Sequence, residues 1–223
     1  KKHKKAEYGI LITGLIILLA ATFVIALCAG QYSVSVPEVT KILASRFVNV
    51  TKTWSNTAEG VVFTLRLPRI IGAVLVGSAL SLSGAAYQGV FKNPLVAPDL
   101  LGVSSGACVG ASVAILLHLN SFGVQAMAFV AGILAVGLTL FIPHLIKNTN
   151  MTMLVLSGII VKGIMDSVMG IIKYVADPET ELQSITYWQL GSLTKVLPKD
   201  LFTVGPVIVT ASVIIFLLRW RIN

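Results

Sequence analysis

Lys162 and Asp166 lie four residues apart inside an otherwise apolar stretch, and they are the first residues in this sequence whose types and spacing could do chemistry. Residues four apart share a helix face. Ionised groups in hydrocarbon are costly unless they face each other, protein or water, so these two either satisfy one another or border a polar route. Arg66-Leu67-Pro68-Arg69 sets two guanidiniums three residues apart ahead of another apolar stretch, with a proline that a helix tolerates in its first turn. The arginines can anchor to lipid headgroups by snorkelling, or they can form a forked receptor for the carboxylates of a partner protein. Gly102-Val103-Ser104-Ser105-Gly106 matches the G-x-S-x-G pattern of serine hydrolases, which needs a strand, a strained turn and a helix. No strand signal surrounds it, and His118 is more than three turns away, so Ser104 and Ser105 read as packing or hydrogen-bonding residues. No catalytic residue is expected. Cys28 and Cys108 sit in apolar stretches and read as small hydrophobes, and His3, His118 and His144 are too scattered for a metal site.

The elements that must position these residues are membrane helices. With 56% hydrophobic and 12% charged residues, and a mean hydropathy of +0.89, the chain has too little polar surface to cover a soluble globule of 223 residues. The net charge of +8 does not form the clustered face that nucleic acid would require, so no nucleic-acid partner is expected. Six stretches approach the roughly 20 residues that a bilayer demands: 8–29, 70–91, 100–119, 122–146, 153–175 and the shorter 201–218. Lys1, Lys2, Lys4 and Lys5 precede the first and place the N-terminus in the cytoplasm; by alternation the basic residues, these four included, tie at eight inside against eight outside, so orientation rests on the first span. That span is too long for the apolar region of a signal peptide.

Between spans, 31–59 is polar, and Ser35-Val36-Pro37-Glu38 reads as a capping box opening a short helix through Phe47. A second polar segment, 176–200, opens on Asp177-Pro178 and carries Tyr187 and Trp188, which suit an interfacial helix. Asn93 to Pro98 is a stiff non-helical break, after which helix is expected to resume at Asp99. Small residues recur every fourth position at Ala73, Gly77, Ser81, Ala85 and Gly89, and again at Gly102, Gly106, Gly110 and Ala114. Such ladders let helices approach closely; whether they pack one bundle, form a dimer interface or line a pore, periodicity does not decide. The fold class is therefore all-α, a polytopic transmembrane helical bundle with short interfacial helices, in one domain over 1–223.

Taken in order, Arg66-Leu67-Pro68-Arg69, Gly77 through Gly84 with Gln88, Asn93-Pro94-Leu95 with Pro98, and Leu101 through Ala107 resemble the membrane permease subunit of the iron-siderophore, haem and cobalamin (FecCD-type) class of binding-protein-dependent ABC importers. Leu156-Ser157-Gly158, Ala176-Asp177-Pro178 and Tyr187 through Leu193 extend the match across the chain from Tyr8 onward. The resemblance implies a ten-helix permease, of which six spans are present, so that the chain reads as truncated after the sixth. It implies a multi-pass protein of the bacterial or archaeal inner membrane and a second permease copy in a homodimer. It also implies cytoplasmic ATPase subunits that bind ATP and Mg, and an extracytoplasmic substrate-binding protein; the chain itself is expected to hold no cofactor and to be no enzyme.

Carried onto this sequence, the resemblance makes Arg66 and Arg69 the docking site for the binding protein. It makes Asn93 and Leu95, with Asn150, Met151 and Thr152, the cytoplasmic gate, although the bulky Met151 departs from the small hydroxyl residues expected there. Gly77, Ser81, Gln88, Gly102, Ser104, Ser105 and Gly106 fall to helix packing or the pathway. A competing reading is a secondary transporter driven by an ion gradient, with Lys162 and Asp166 as its coupling site.

Overall fold

Sequence hydropathy dictates helices here, and the structure, a computed structural model describing residues 2–94, 96–148, 150–194 and 196–222, is helical with no strand among those residues. In chain order the helices are α1 (Lys2–Cys28), α2 (Val36–Ala44), α3 (Asn56–Gly60), α4 (Leu67–Phe91), α5 (Val103–Leu116), α6 (Ser121–Leu145), α7 (Met151–Val175), α8 (Glu181–Leu190), α9 (Pro198–Leu217) and α10 (Arg219–Ile222). Five of the described helical runs are long and apolar enough to cross a membrane: Glu7–Cys28, Asn56–Phe91, Ser121–Leu145, Met151–Val175 and Pro198–Leu217.

The third expected span differs. Instead of an unbroken helix over 100–119, Pro98–Leu101 forms a 3-10 turn, Gly102 breaks it at φ +72°, and α5 runs for only 14 residues. At 1.5 Å per residue that is about 21 Å, less than the ~30 Å hydrocarbon layer. Helix therefore does not resume continuously at Asp99, because Gly102 adopts the left-handed conformation open to glycine.

The chain divides into two compact units. The first comprises Lys1–Gly77 and Leu193–Thr210. Its core gathers Leu27 at the end of α1, Val34, Val39 and Ile42 of α2, Trp54, Ala58 and Val62. Here α2 ends at Ala44 rather than Phe47, which is exposed, and Ser35 stands at the N-cap without a side-chain bond, so the expected capping box is not closed. The proline of Arg66-Leu67-Pro68-Arg69 is likewise not at a helix start. Helix begins at Asn56, capped by Ser55 accepting from the Ala58 amide at 3.0 Å, and passes through a π-helical stretch, Val61–Arg66, into α4. A proline inside a helix strips one amide and crowds the carbonyl four residues back; the wide turn just upstream makes room for Pro68.

The second unit comprises Ser78–Ser192 and Ala211–Asn223. Its centre is α5 against α6 and α7, made possible by missing side chains. A Cβ on Gly110 would lie 2.3 Å from the Met127 carbonyl oxygen, and one on Gly106 would lie 2.5 Å from the Ala135 Cβ. Ala111, Ala114, Val124 and Ala128 bury themselves in the same seam. Below α8, Ile185 joins Met169, Ile172 and Ala176 in a second cluster, while Tyr187 and Leu190 stay exposed.

Candidate functional site: a helix break held against α7

Backbone without helix is tolerated at membrane depth only where protein or water satisfies it. The break from Asn93 to Gly102 meets this condition through α6 and α7. Phe91, Val96 and Leu101 form its buried centre, with Tyr87, Leu100, Val103, Leu154 and Val155 around them. Its own turns close by Leu100 N–H to the Ala97 carbonyl at 3.1 Å and Gly102 N–H to the Asp99 carbonyl at 3.2 Å. The fully buried Thr139 hydroxyl of α6 stands 3.0 Å from the Leu101 carbonyl oxygen and 3.0 Å from that of Ala135. On α7, Gly158 lets the break lie directly on the helix: a Cβ there would come within 1.9 Å of the Leu100 carbonyl oxygen.

Beside that contact Lys162 donates to Asp99, Nζ to Oδ2, at 2.8 Å. Sequence spacing pairs Lys162 with Asp166; the structure instead pairs it with a carboxylate 63 positions away, because the break carries Asp99 up to the side of α7. Asp166 has no ion pair among the described residues, and is exposed. Ser104, in the first turn of α5, is exposed. Ser104 has no histidine beside it, since His118 lies beyond the far end of α5 with its Nε2 3.4 Å from Glu181 Oε1.

Lys162 is the twelfth residue of the 25 in α7, so it lies about 17 Å from the helix start and near the middle of the span. Its side chain is 44% exposed and that of Asp99 is 51% exposed. Each charge turned to lipid at that depth would cost upward of about 3 kcal/mol, so this face belongs against water or protein. At 100° per residue, Thr152, Lys162, Gly163, Asp166, Ser167, Gly170 and Lys173 fall within an arc of about 140°, which they share with the exposed Leu156, Ile159 and Tyr174. Ser157, Gly158, Val161, Met169 and Ile172 make the buried face, and Ile160, Ile164, Ile171 and Val175 an apolar edge between the two. At the helix end Lys173 donates to the Gln189 side chain on α8.

Of the gate residues expected from sequence, Asn150 occupies the N-cap position of α7 without a side-chain capping bond, and Met151 and Thr152 are exposed in its first turn. Asn93 lies exposed at the start of the break, accepting from the Val96 amide at 3.3 Å. Leu95 lies outside the described residues. On α4, Gly77, Ser81 and Gln88 are exposed. Gly102 and Gly106 are buried, with Ser105 half-buried beside them. Ala85 and Gly89 help line a cleft of about 370 Å³ together with Ile215, Phe216 and Arg219, whose guanidinium lies 4.2 Å from the Phe216 ring centre.

The arginine pair is divided in its duties. Arg66 donates to the carbonyls of Leu27 at 2.7 Å, Cys28 at 3.1 Å and Tyr32, so its cation closes the C-terminal end of α1, where the helix dipole is negative. Gly30 lies directly beneath, and a Cβ there would overlap the guanidinium. Arg69 is half-buried, with a buried Nε that has no hydrogen-bond partner among the described residues. Thr139, Gly158 and Asp99 are the site residues that sequence reasoning did not assemble. Nothing in the local sequence signals them, because Lys162 and Asp166 balance each other on one helix face.

Comparison with known proteins agrees with this architecture. A solved structure of a metal-chelate type ABC transporter in an inward-facing conformation superposes with a TM-score of 0.80 at 31% identity, covering 97% of this chain and 64% of that one. The molybdate import system permease protein MolB of Haemophilus influenzae is 34% identical over 218 residues, covering 97% of this chain and 64% of the relative. The cobalamin import system permease protein BtuC of Halobacterium salinarum is 35% identical over 169 residues, covering 75% of this chain and 45% of the relative. The chain thus spans less than two thirds of the length of these relatives. The model of the FecCD transport family matches residues 18–223, and with the all-helical fold and the motifs above this chain belongs to that family.

Proposed function

We propose that the chain is the membrane-spanning, non-enzymatic part of a binding-protein-dependent ABC importer that moves metal chelates of the siderophore, haem or cobalamin kind into the cytoplasm. In this reading it sits in the inner membrane with a cytoplasmic N-terminus and works with a second permease copy. A separate ATPase binds ATP and Mg, and an extracytoplasmic protein delivers the substrate. The observation that carries the reading is the polar, glycine-bearing face of α7, with Asp99 and Lys162 half exposed at mid-span, inside a chain of this family. Small and polar side chains suit a passage that must release bulky cargo, since recognition is delegated to the outside partner. The break at Asn93–Gly102 and the first turn of α7 supply its cytoplasmic gate.

Docking of the delivering protein falls to Arg69 and to the second role of Arg66, whose first is to cap α1. The test is uptake by the full-length permease reconstituted with its ATPase and binding protein. Chelate uptake that requires ATP and survives collapse of the proton gradient supports the importer; uptake that follows the gradient and ignores ATP replaces it with ion-coupled transport through Lys162 and Asp166. In the same system, Arg69→Glu is expected to weaken binding-protein docking while leaving the fold intact.

A further inference from the structure

The charge balance on the exposed face of α7 adds a statement about cargo. Within the span, Lys162 is matched by Asp99 at 2.8 Å, and Asp166, one turn along on the same face, is left over. The other polar groups on that arc between Lys162 and the helix end, Ser167 and the backbone beside Gly163 and Gly170, are neutral. Lys173 stands toward the helix end, about 10 Å along the axis from Asp166, and donates to the neutral Gln189 side chain, so its charge lies outside the middle of the face without being cancelled. His118 pairs with Glu181 beyond the end of α5 and adds no charge at mid-span. The middle of the face therefore carries one net negative charge per chain, and in a second copy it would carry another.

Resting on the passage reading above, we infer that Asp166, beside the Asp99–Lys162 pair, forms an anionic band at mid-depth that passes neutral or cationic metal chelates and opposes small oxyanions. In a water-filled cleft walled by low-dielectric protein and lipid, field lines are focused, and a like charge is excluded far more strongly than it would be at an open surface. An oxyanion such as molybdate, for whose import one relative is named, would meet at this level the Asp166 carboxylate and, among the described residues, no cation beyond Lys162 in its pair with Asp99. A chelate that wraps its metal in neutral or protonated ligands meets no such barrier.

A local readout tests this without knowing the natural cargo. In the full-length permease with its ATPase, and with Cys28, Cys108 and any other native cysteine replaced, Ser167→Cys introduces a thiol one residue from Asp166. Rates of modification by a cationic and an anionic methanethiosulfonate are compared after correction for their intrinsic reactivity with a free thiol. The expected result is modification from water by both, with the cationic reagent faster by about tenfold. Asp166→Asn is expected to erase most of that preference, and Lys162→Gln to increase it. Modification by both reagents with equal rates, or with the anionic one faster, overturns the anionic band while leaving the passage intact. No modification by either, in a variant that still takes up chelate, overturns the passage reading itself and the band with it.

Discussion

Two glycine ladders in this chain obey the same spacing and meet opposite fates. On α5, Gly106 and Gly110 are buried, with no room for even a methyl group against α6. On α4, Gly77 and Gly84 have nothing within 4 Å of where a Cβ would stand, and Gly77, Ser81 and Ala85 are exposed. The α5 ladder is a structural element of this chain; the α4 ladder is an open surface at Gly77 and Ser81 and the wall of a cleft at Ala85 and Gly89. A small-xxx-small pattern thus reports that close approach is possible, and tertiary context decides whether it is used.

The largest effect expected from breaking the packed class comes at Gly158. Gly158→Ala drives a methyl into the Leu100 carbonyl, which is backbone and cannot rotate away. Either α7 or the break must move, at a cost of about 3 kcal/mol or more. Lys162 and Asp99 part in the process. Thermal unfolding of the detergent-solubilised protein, followed by the reactivity of the half-buried Cys28 and Cys108 thiols, should show a fall in midpoint of many degrees. An unchanged midpoint would mean that the break does not rest on α7.

Gly110→Ala follows, with its methyl set 2.3 Å from the Met127 carbonyl oxygen and 2.5 Å from the Ala131 Cβ. Helices α5 and α6 can slide apart slightly, so the expected loss is smaller, about 2 kcal/mol, by the same assay. A smaller loss again is expected for Gly30→Ala. It obstructs the terminal guanidinium of Arg66, a side chain with some freedom to give, at a position whose φ of +150° already favours glycine. About 1 to 2 kcal/mol is expected, and Arg66→Gln should lose a similar amount by uncapping α1. Near-additive losses in the double variant would show that the two residues do not act as one contact.

Much of this was legible in the residues. Five of six apolar stretches became long helices with boundaries displaced by a few positions, because continuous hydrophobicity over more than twenty residues admits little else. The exception, α5, fails for a reason visible in the sequence. Pro94 and Pro98 remove donors, and Gly102 lets the chain turn left-handed, so the residues counted as the start of a span serve as a break. Register across the bundle was not legible. Lys162 and Asp166 satisfy every local rule for a pair, yet the partner is Asp99, since a 2.8 Å contact over 63 positions depends on where α6 and Gly158 hold the break. Arg66 shows the same limit: nothing in its neighbours announces that the carbonyls ending α1 will reach it.

The comparison is sharpened most by the variant expected to do least. Gly77→Ala adds a methyl to the open side of α4, where it meets no atom of the described residues, and it exchanges the poorest ordinary helix former for the best. If the α4 ladder were an internal packing surface like that of α5, this change would cost as much as Gly110→Ala. On the geometry here it should leave stability unchanged or raise it by up to about 1 kcal/mol, since alanine loses less backbone freedom on entering a helix. The same thiol-reactivity melting assay reads both variants side by side. A drop for Gly77→Ala approaching that for Gly110→Ala, measured in the full-length protein, would mean that segments beyond those described here close upon α4 as tightly as α6 closes upon α5.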